Sequence, residues 1–299
     1  MILTPSFIDE LGDQLRDADE IIEKVDLSAL NRLIEHKPQD MTATVEAGMK
    51  LSEFQDAIQP GGQWLPLDPP DSESLSISEL ISSNASGPSR YGFGTIRDWL
   101  IGIRFFLSDG RSVFNGGRVV KNVAGFDLCK LMVGSRGTLG VITEAIFKLM
   151  PIAEQKVTTS CSCKSLIEAS SRIKAIWDSL IQPSVLDLVR ENGEIQLILG
   201  ISGSKPDVAA QMKSAKNIGD FKPAELTHES RLRKRMPKVI SVTPEQLIPA
   251  LDKLGEVDFV SRAGNGIIYI EGTPSTLIRS PVEKRVKAQF DPKGILTPL

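Results

Sequence analysis

The segment GGRVVKNVAGFDLCKLMVGSRGTLGVITEAIFKLMP, residues Gly116–Pro151, decides the fold. Five of its glycines fall in two clusters, Gly116-Gly117 and Gly134, Gly137, Gly140. Residues 127–132, before the second cluster, predict a helix, and the alternating residues 141–149 after it predict a strand. A Rossmann fingerprint runs in the opposite order, from strand through glycines to helix. Two interpretations stay open: close packing of the turn on a strand, or a phosphate that approaches the backbone.

Composition limits the function classes. The 299 residues suffice for two domains. Apolar residues make up 41% and charged residues 24%, as in ordinary globular proteins. A net charge of −3 and an aromatic content of 5% argue against a nucleic-acid surface.

The cysteines and histidines limit the chemistry further. Cys129, Cys161 and Cys163 are too few for a disulfide framework and suit a reducing cytoplasm. With His36 and His228 as the only histidines, no metal site is predicted. No apolar run approaches the roughly 20 residues of a membrane span, so a cytoplasmic protein is expected.

The first half predicts alternating helices and strands. Helices are expected at residues 7–23, at 51–58, where Pro60 and the glycines after it end the helix, and after the N-cap Ser76. A strand is expected at residues 41–48, a loop at 84–94, and a hairpin around the turn Asp109-Gly110.

After Pro151 a strand-helix-strand-helix series predicts a second α+β domain. Its elements are expected at residues 157–160, 165–180, 195–203 and 206–215, followed by a strand at 266–270 and a helix near 282–290. The basic run RLRKRMPK, Arg231–Lys238, is interpreted either as a solvated surface segment or as a docking patch for an anionic partner.

Three segments follow one another along the chain: SGPSRYGFGTIRD (Ser86–Asp98), the glycine-rich segment Gly116–Pro151, and AQFDPKGILTP (Ala288–Pro298). In combination they resemble FAD-binding flavoproteins of the vanillyl-alcohol-oxidase or PCMH type. Within that family the chain is most similar to the FAD-binding E subunits of bacterial glycolate oxidases, and the string Lys121–Leu128 is its most subunit-specific part.

The resemblance implies an α+β, PCMH-type two-subdomain FAD-binding fold with a ferredoxin-like α+β cap domain. It places the FAD-binding domain at residues 1–151 and the cap and C-terminal domain at residues 152–299. FAD would be bound non-covalently, extended between the two subdomains. Backbone N–H groups in glycine turns are good donors to its pyrophosphate.

The resemblance also assigns cofactor-binding residues. Those on the flavin side would be Ser86, Gly87, Tyr91, Gly94, Arg97 and Asp98. Those on the phosphate and adenosine side would be Gly134, Ser135, Gly137, Thr138, Gly140, Val141 and Ile142.

Two positions depart from the family pattern. The family carries a P-x-G-G-G-T phosphate loop before the segment that matches Asp26, whereas Gly12 is the sole glycine in that region here. A shortened first subdomain is therefore expected. Ser76–Glu79 aligns with a Thr-Val-Gly-Gly site, where a carboxylate at Glu79 beside a pyrophosphate would cost on the order of 1 kcal/mol.

No catalytic constellation is predicted. Oxidation of a 2-hydroxy acid needs a base and a cationic carboxylate anchor near the flavin. His36 and His228 are expected at the surface, while Lys121, Arg136 and Arg262 are equally well interpreted as anion contacts or surface charges.

Three functions follow from the resemblance. The first is an auxiliary FAD-binding subunit of a glycolate oxidase (glycolate dehydrogenase)-type complex with a catalytic D-type flavoprotein and an iron–sulfur subunit. It would relay electrons or organise the complex. This complex would lie in the cytoplasm or at the inner membrane through partners. The second is a flavin-free structural subunit of the same complex. The third is a free-standing 2-hydroxy-acid dehydrogenase, which the scarcity of histidine disfavours.

Overall fold

A computed structural model describes residues 1–117, 126–231, 235–236, 238–273 and 280–298. The subunit-specific string Lys121–Leu128 is therefore described only from Phe126 onward, and Lys121 lies outside the described residues. The basic run Arg231–Lys238 lies partly outside them as well, so neither interpretation of it is tested.

Residues 1–151 form a mixed helix and sheet body. Its strands are β1 (Ile2–Leu3), β2 (Lys24–Val25), β3 (Leu33–Lys37), β4 (Thr42–Glu46), β5 (Gln63–Trp64), β6 (Leu100–Phe106), β7 (Ser112–Gly116), β8 (Val141–Lys148) and β9 (Met150–Pro151). Its helices are α1 (Ile8–Asp17), α2 (Leu51–Ile58), α3 (Ile77–Ser83), α4 (Arg90–Phe93), α5 (Ile96–Trp99) and α6 (Leu128–Met132).

An antiparallel five-stranded sheet in the order β3-β4-β8-β6-β7 forms the centre of this body. Helices α2, α3 and α6 supply side chains to its core, in which Phe54 of α2 meets Phe147 of β8 with ring centroids 5.7 Å apart. The short strands β1 and β2 pair in parallel across α1. Leu11 and Leu15 of α1 pack in a second core with Phe106 and Val141.

The later residues build a second sheet. Its strands are β10 (Gln155–Cys163), β11 (Val185–Glu191), β12 (Glu194–Gly203), β13 (Lys222–Pro223), β14 (Lys238–Ser241), β15 (Phe259–Arg262) and β16 (Ile267–Ile270). The helices of this region are α7 (Leu166–Trp177), α8 (Lys205–Ala215), α9 (Thr227–Arg231), α10 (Leu247–Leu254) and α11 (Pro281–Phe290).

The first part of this region has the predicted ferredoxin-like connectivity. The elements β10-α7-β11-β12-α8-β13 follow one another, and their strands lie in the order β13-β10-β12-β11 with antiparallel pairs. Strands β15, β16 and β14 extend the sheet beyond β11. Alternation along β11 sends Leu186 and Leu188 to the helix-covered core and Asp187 to the opposite face.

Most predicted elements of the first body are present. Helix α2 has the predicted bounds, Ser76 caps α3 through the N–H of Glu79, and β6 and β7 form the predicted hairpin. The prediction of a loop over residues 84–94 was wrong for Arg90–Phe93, which form the short helix α4. No described helix has both the length and the apolar character needed to cross a bilayer.

The helix predicted at residues 7–23 is too long. Helix α1 ends at Asp17, and Ala18 is already extended with φ −67° and ψ 129°. Further on, the N–H of Ile22 donates to the carbonyl of Ile295 at 2.7 Å. A long-range contact with the C-terminal segment therefore replaces the last predicted turns, which the local pattern could not indicate.

The C-terminal segment, residues 281–298, packs on the first body. Val286 and Phe290 of α11 contact the core of the five-stranded sheet, and Phe290 stacks on Phe105 at 6.2 Å. Ile295 and Leu296 complete the core beneath α1. The division of the chain at residue 151 stays a prediction, and these contacts assign part of the second predicted domain to the first core.

Lys293 fixes α1 to this segment. Its ammonium donates to the carbonyls of Leu15 at 3.1 Å, of Arg16 at 2.9 Å, and of Ala18. The last carbonyls of a helix have no partner within the helix and carry the negative end of its dipole, so a cation there stabilises the helix.

Replacing Lys293 with Met should lower the free energy of unfolding by about 1–3 kcal/mol, because three carbonyls lose a charged donor. Urea denaturation followed by circular dichroism measures this change. The matched control is Lys284→Met, at an exposed position on α11, which should change stability by less than about 0.5 kcal/mol. Equal losses in both variants would contradict the capping role.

Candidate functional site

The turn between α6 and β8 is the centre of the predicted cofactor site. Gly134 and Gly137 have φ angles of 79° and 74°, a region that glycine enters without steric cost. The N–H groups of Gly134 and Arg136 donate to the carbonyls of Ile81 and Ser82 at 3.0 and 2.8 Å. The turn is thereby fixed to the end of α3, which agrees with the packing interpretation; the approach of a phosphate to these glycines stays a prediction.

One face of this turn borders a cavity of about 160 Å³, here called the adenosine-side cavity. Its lining comes from β2, α3, the turn, the start of β8 and the C-terminal segment. The lining residues are Ile22, Glu23, Lys24, Val25, Leu27, Ser78, Ser82, Gly137, Gly140, Val141, Ile142, Leu296 and Thr297.

This cavity has the donors that an anion needs. Within the described residues, the N–H groups of Gly137 and Gly140 donate no hydrogen bond. A Cβ atom at Gly137 would lie 3.3 Å from Thr297 Oγ1, so glycine keeps this wall open. Lys24 adds a positive charge, and Ser78 adds a hydroxyl. Backbone N–H groups of this kind form anion-binding concavities.

The start of β8 presents a free strand edge to the same cavity. Strand β4 pairs with β8 only as far as Glu46 opposite Glu144, and the N–H of Ala47 reaches the carbonyl of Thr143. In the described structure, no strand therefore covers that edge of Val141 and Ile142. A strand edge supplies the N–H and carbonyl pattern that a base edge can pair with.

The opposite face of the turn borders a second, mainly apolar cavity of about 280 Å³. It is lined by Leu131, Val133, Gly134, Ser135, Thr138, Leu139, Val282, Glu283 and Val286. The hydroxyl of Ser135 is buried and has no hydrogen-bond partner in the described structure. The seven predicted phosphate-side residues therefore lie on two faces of one turn.

The predicted flavin-side residues make local contacts in and around α4 and α5. The Ser86 hydroxyl accepts from Arg90 at 3.3 Å, and a Cβ at Gly87 would lie only 1.7 Å from the Asp68 carbonyl oxygen. Tyr91 covers Gly264, whose Cβ position would be 2.0 Å from the ring.

The other three flavin-side residues shape the start of α5. Asp98 accepts from the N–H of Thr95 at 2.8 Å, and this capping carboxylate lies beside Gly94. Arg97 donates to the carbonyl of Lys130 at 3.4 Å. These contacts account for all three residues without a ligand, and the predicted Arg97–Asp98 segment acts here as a helix start.

Glu79, expected beside a pyrophosphate, turns its carboxylate back to the start of α3. It accepts from the N–H and the hydroxyl of Ser76 at 2.8 and 2.7 Å. Partial burial raises the pKa of Glu79, but the hydrogen bonds from Ser76 and the charges of Lys50 and Lys24 outweigh this and lower it. Its charge is thus used as a helix cap.

A buried charge cluster lies on the face of the second sheet opposite to helices α7, α8 and α10. Arg262 donates to Asp187 Oδ2 at 2.6 Å and lies 2.6 Å from Glu229 Oε1. His228 Nε2 lies 2.9 Å from the same Asp187 oxygen. The side chains of Arg262 and His228 are 1% and 3% exposed.

These positions correct two predictions. His228 was expected at the surface, and Arg262 was interpreted as a surface charge or anion contact; both are buried. The sequence feature that indicates this cluster is Asp187, a carboxylate within the apolar strand segment VLDLV. A buried charge needs a partner, so other charged residues are expected beside it. His36 lies in β3 and bonds Gln63 at 2.9 Å, while Arg136 is exposed.

Asp187, His228 and Glu229 form, among the described residues, the one group whose potential metal-ligating atoms lie within 4.8 Å of one another. The guanidinium of Arg262 is already bound between the two carboxylates of that group. It supplies the positive charge that a metal ion would otherwise provide.

The comparisons with known proteins agree with this architecture. Residues 15–114 match the model of a family described as FAD binding domain. Glycolate oxidase subunit GlcD of Bacillus subtilis is 34% identical over 160 residues, which is 54% of this chain and 34% of that protein. Glycolate oxidase subunit GlcE of Escherichia coli is 32% identical over 160 residues, 53% of this chain and 45% of that protein.

A solved structure extends the match over the whole chain. An alkyldihydroxyacetonephosphate synthase superimposes with a TM-score of 0.77 and 17% identity, covering 100% of this chain and 76% of its own. The fold is thus a PCMH-type flavoprotein fold, as predicted. The chain is similar to these two glycolate oxidase subunits over about half of its own length, and it spans less than half of theirs.

A pH effect follows from Asp68, which accepts from the N–H of Ser89 at 3.1 Å. Burial raises the pKa of Asp68 to about 6, against the lowering effect of Ser89 and Arg262. The native state then holds a proton that the unfolded state has released between pH 4 and 6, so stability falls as pH rises through this window.

Replacing Asp68 with Asn should remove this component, on the order of 2 kcal/mol between pH 4 and pH 6.5. The measurement is the free energy of unfolding against pH for both proteins. Asp56→Asn, at an exposed position on α2, serves as the control and should keep the wild-type profile. A profile of Asp68→Asn parallel to wild type would refute the assignment.

Proposed function

We propose that this chain is the FAD-binding subunit of a glycolate oxidase-type complex that oxidises a 2-hydroxy acid. The proposal rests on one observation: Gly137 and Gly140, whose N–H groups donate no hydrogen bond within the described residues, line a cavity that Lys24 also lines. Similarity to the GlcD and GlcE subunits supports the reaction class. The partners would be a catalytic D-type flavoprotein and an iron–sulfur subunit, with any membrane association made through them.

In this proposal FAD binds non-covalently across the glycine turn. Gly137 and Gly140 would donate to the pyrophosphate, with Lys24 as its counter-charge. The free edge of Val141 and Ile142 would pair with the adenine. When bound, FAD supplies the capacity to accept and pass on electrons. The chain itself binds and orients the cofactor, and no catalytic residue is assigned to it.

The size of the adenosine-side cavity limits what it holds. At about 160 Å³ it is smaller than the roughly 300–1,000 Å³ typical of ligand pockets. It therefore suits the adenosine and phosphate end of the cofactor, and the flavin needs room elsewhere. Ser135, with its unpaired hydroxyl on the other face of the turn, is a further group that could contact the cofactor.

A second function, a flavin-free structural subunit of the same complex, is favoured by the flavin-side contacts. Gly87 lies against the Asp68 carbonyl, and the Tyr91 ring covers Gly264. These contacts hold α4 to the second sheet in the absence of a ligand. A chain that kept the fold and the partner surfaces would retain them.

Gly137→Ala distinguishes the two functions. The substitution puts a methyl group at a φ of 74° into the adenosine-side cavity, and FAD affinity should fall at least tenfold, or about 1.4 kcal/mol. Purified chain is reconstituted with excess FAD, and the bound flavin is released with acid and quantified by absorbance.

Gly193→Ala is the matched control. Gly193 has a φ of 84° in the turn between β11 and β12, with nothing within 4 Å of its Cβ position. It carries the same backbone cost without touching the cavity, so FAD binding should stay at the wild-type level. Wild-type chain that takes up no flavin, yet assembles with its partners, would refute FAD binding and establish the structural function.

A further inference from the structure

We propose that Lys287 is a positioning residue for the adenosine-side cavity, because its ammonium holds the glycine turn against the C-terminal wall of that cavity. The turn contributes Gly137 and Gly140 to the lining, and the wall contributes Leu296 and Thr297. Lys287 is not itself among the lining residues. The inference rests on the proposed function, since it names a residue that sets the affinity of the same cavity for a nucleoside diphosphate group.

The glycine turn is attached to the rest of the protein on both sides of Gly137. Before Gly137, the N–H groups of Gly134 and Arg136 donate to the end of α3. After it, the carbonyl of Thr138 accepts from Lys287 Nζ at 2.9 Å. Within the described structure, this is the one hydrogen bond between residues 137–139 and a residue distant in sequence. The path of the turn beside the cavity therefore depends on Lys287.

The same ammonium contacts the C-terminal wall. Lys287 Nζ donates to the carbonyl of Thr297 at 3.0 Å and lies 3.4 Å from the carbonyl oxygen of Leu296. The turn and the wall are close together here, since a Cβ atom at Gly137 would lie 3.3 Å from Thr297 Oγ1. One cation thus joins two segments that border the same cavity and are far apart in the sequence.

Asp291 holds this ammonium in place. Its Oδ2 lies 2.6 Å from Lys287 Nζ, and the two side chains are 0% and 15% exposed. Burial raises the pKa of Asp291, but the hydrogen bonds from Lys287 and Ser108 outweigh burial and lower it. The carboxylate therefore stays ionised, and a charge-assisted hydrogen bond between ionised partners is short and strong. Asp291 also accepts from the N–H groups of Ile295 and Leu296, so it anchors the wall as well.

The helix that carries Lys287 is fixed before any ligand arrives. Val286 and Phe290 of α11 pack on the core of the five-stranded sheet, where Phe290 stacks on Phe105. The ammonium is therefore held by packing, by Asp291 and by three carbonyls. A pre-organised site spends less of its binding free energy on ordering its own walls. Without Lys287, a diphosphate would have to order the turn and the wall as it binds, so its affinity would fall.

ADP is the probe, and isothermal titration calorimetry on the full chain is the measurement. Lys287→Met should bind ADP about tenfold more weakly than wild type, or weaker still. The matched control is Lys284→Met, at an exposed position on the same helix, which should bind ADP as wild type does.

A second control separates positioning from stability. Lys293→Met should also destabilise the first body, but Lys293 contacts the carbonyls at the end of α1 and makes no hydrogen bond to the turn within the described structure. Its affinity for ADP should stay within about threefold of wild type. If Lys293→Met weakens ADP binding as much as Lys287→Met does, the loss reflects stability alone and the inference is overturned.

Amide hydrogen exchange of the ligand-free chain gives a test that does not need ADP. The N–H of Thr138 donates to the carbonyl of Ser135 at 3.0 Å, and that of Gly134 donates to Ile81. Lys287→Met should speed exchange at Thr138 about tenfold and leave Gly134, which α3 holds, within about threefold. Unchanged exchange at Thr138 would overturn the inference. If wild type binds no ADP, the proposed function fails, and exchange at Thr138 alone then decides whether Lys287 positions the turn.

Discussion

The ammonium of Lys287 joins three parts of the molecule on which the candidate cofactor site depends. It donates to the carbonyl of Thr138 in the glycine turn at 2.9 Å, to Asp291 at 2.6 Å, and to the carbonyl of Thr297 at 3.0 Å. Asp291 in turn accepts from the N–H groups of Ile295 and Leu296. The ion pair of Lys287 with the buried Asp291 thus fixes the turn against the C-terminal wall of the adenosine-side cavity.

The glycines and residues distant in sequence together determine the shape and the position of this turn. Positive φ angles at Gly134 and Gly137 give the turn its path, while α3 holds it from one side and the C-terminal segment from the other. The cavity exists because residues from opposite ends of the chain meet there. As a consequence, the adenosine-side cavity has N–H donors in its wall but a volume of only about 160 Å³.

Local pattern predicted the elements with strong periodicity, such as α2 and the β6–β7 hairpin, because caps and turns agree with burial there. Local pattern failed where contacts between residues far apart in the sequence determine the end of a helix or the burial of a side chain. Helix α1 stops at Asp17 because Lys293 satisfies its carbonyls, and His228 is buried because it partners Asp187. The glycine turn was found from sequence, whereas its division between two cavities depends on α11, which the local pattern does not place.

The second sheet carries charged side chains in two places, a buried cluster and the end of the β11–β12 hairpin. Arg262 lies between Asp187 and Glu229 inside the protein and supplies one positive charge to both carboxylates. Glu191 and Glu194 lie opposite each other farther along the same hairpin. In the sequence, Asp187, Glu191 and Glu194 are scattered polar residues in apolar strands, and the ladder between β11 and β12 brings them onto one face.

The most direct test of the central claim is a glycine-selective ¹H–¹⁵N spectrum of the chain titrated with ADP. The account predicts saturable shifts of the amide resonances of Gly137 and Gly140, which line the cavity, and none for Gly193, which does not. Unchanged resonances at Gly137 and Gly140 at saturating ADP would show that the turn is packing alone and would contradict the account.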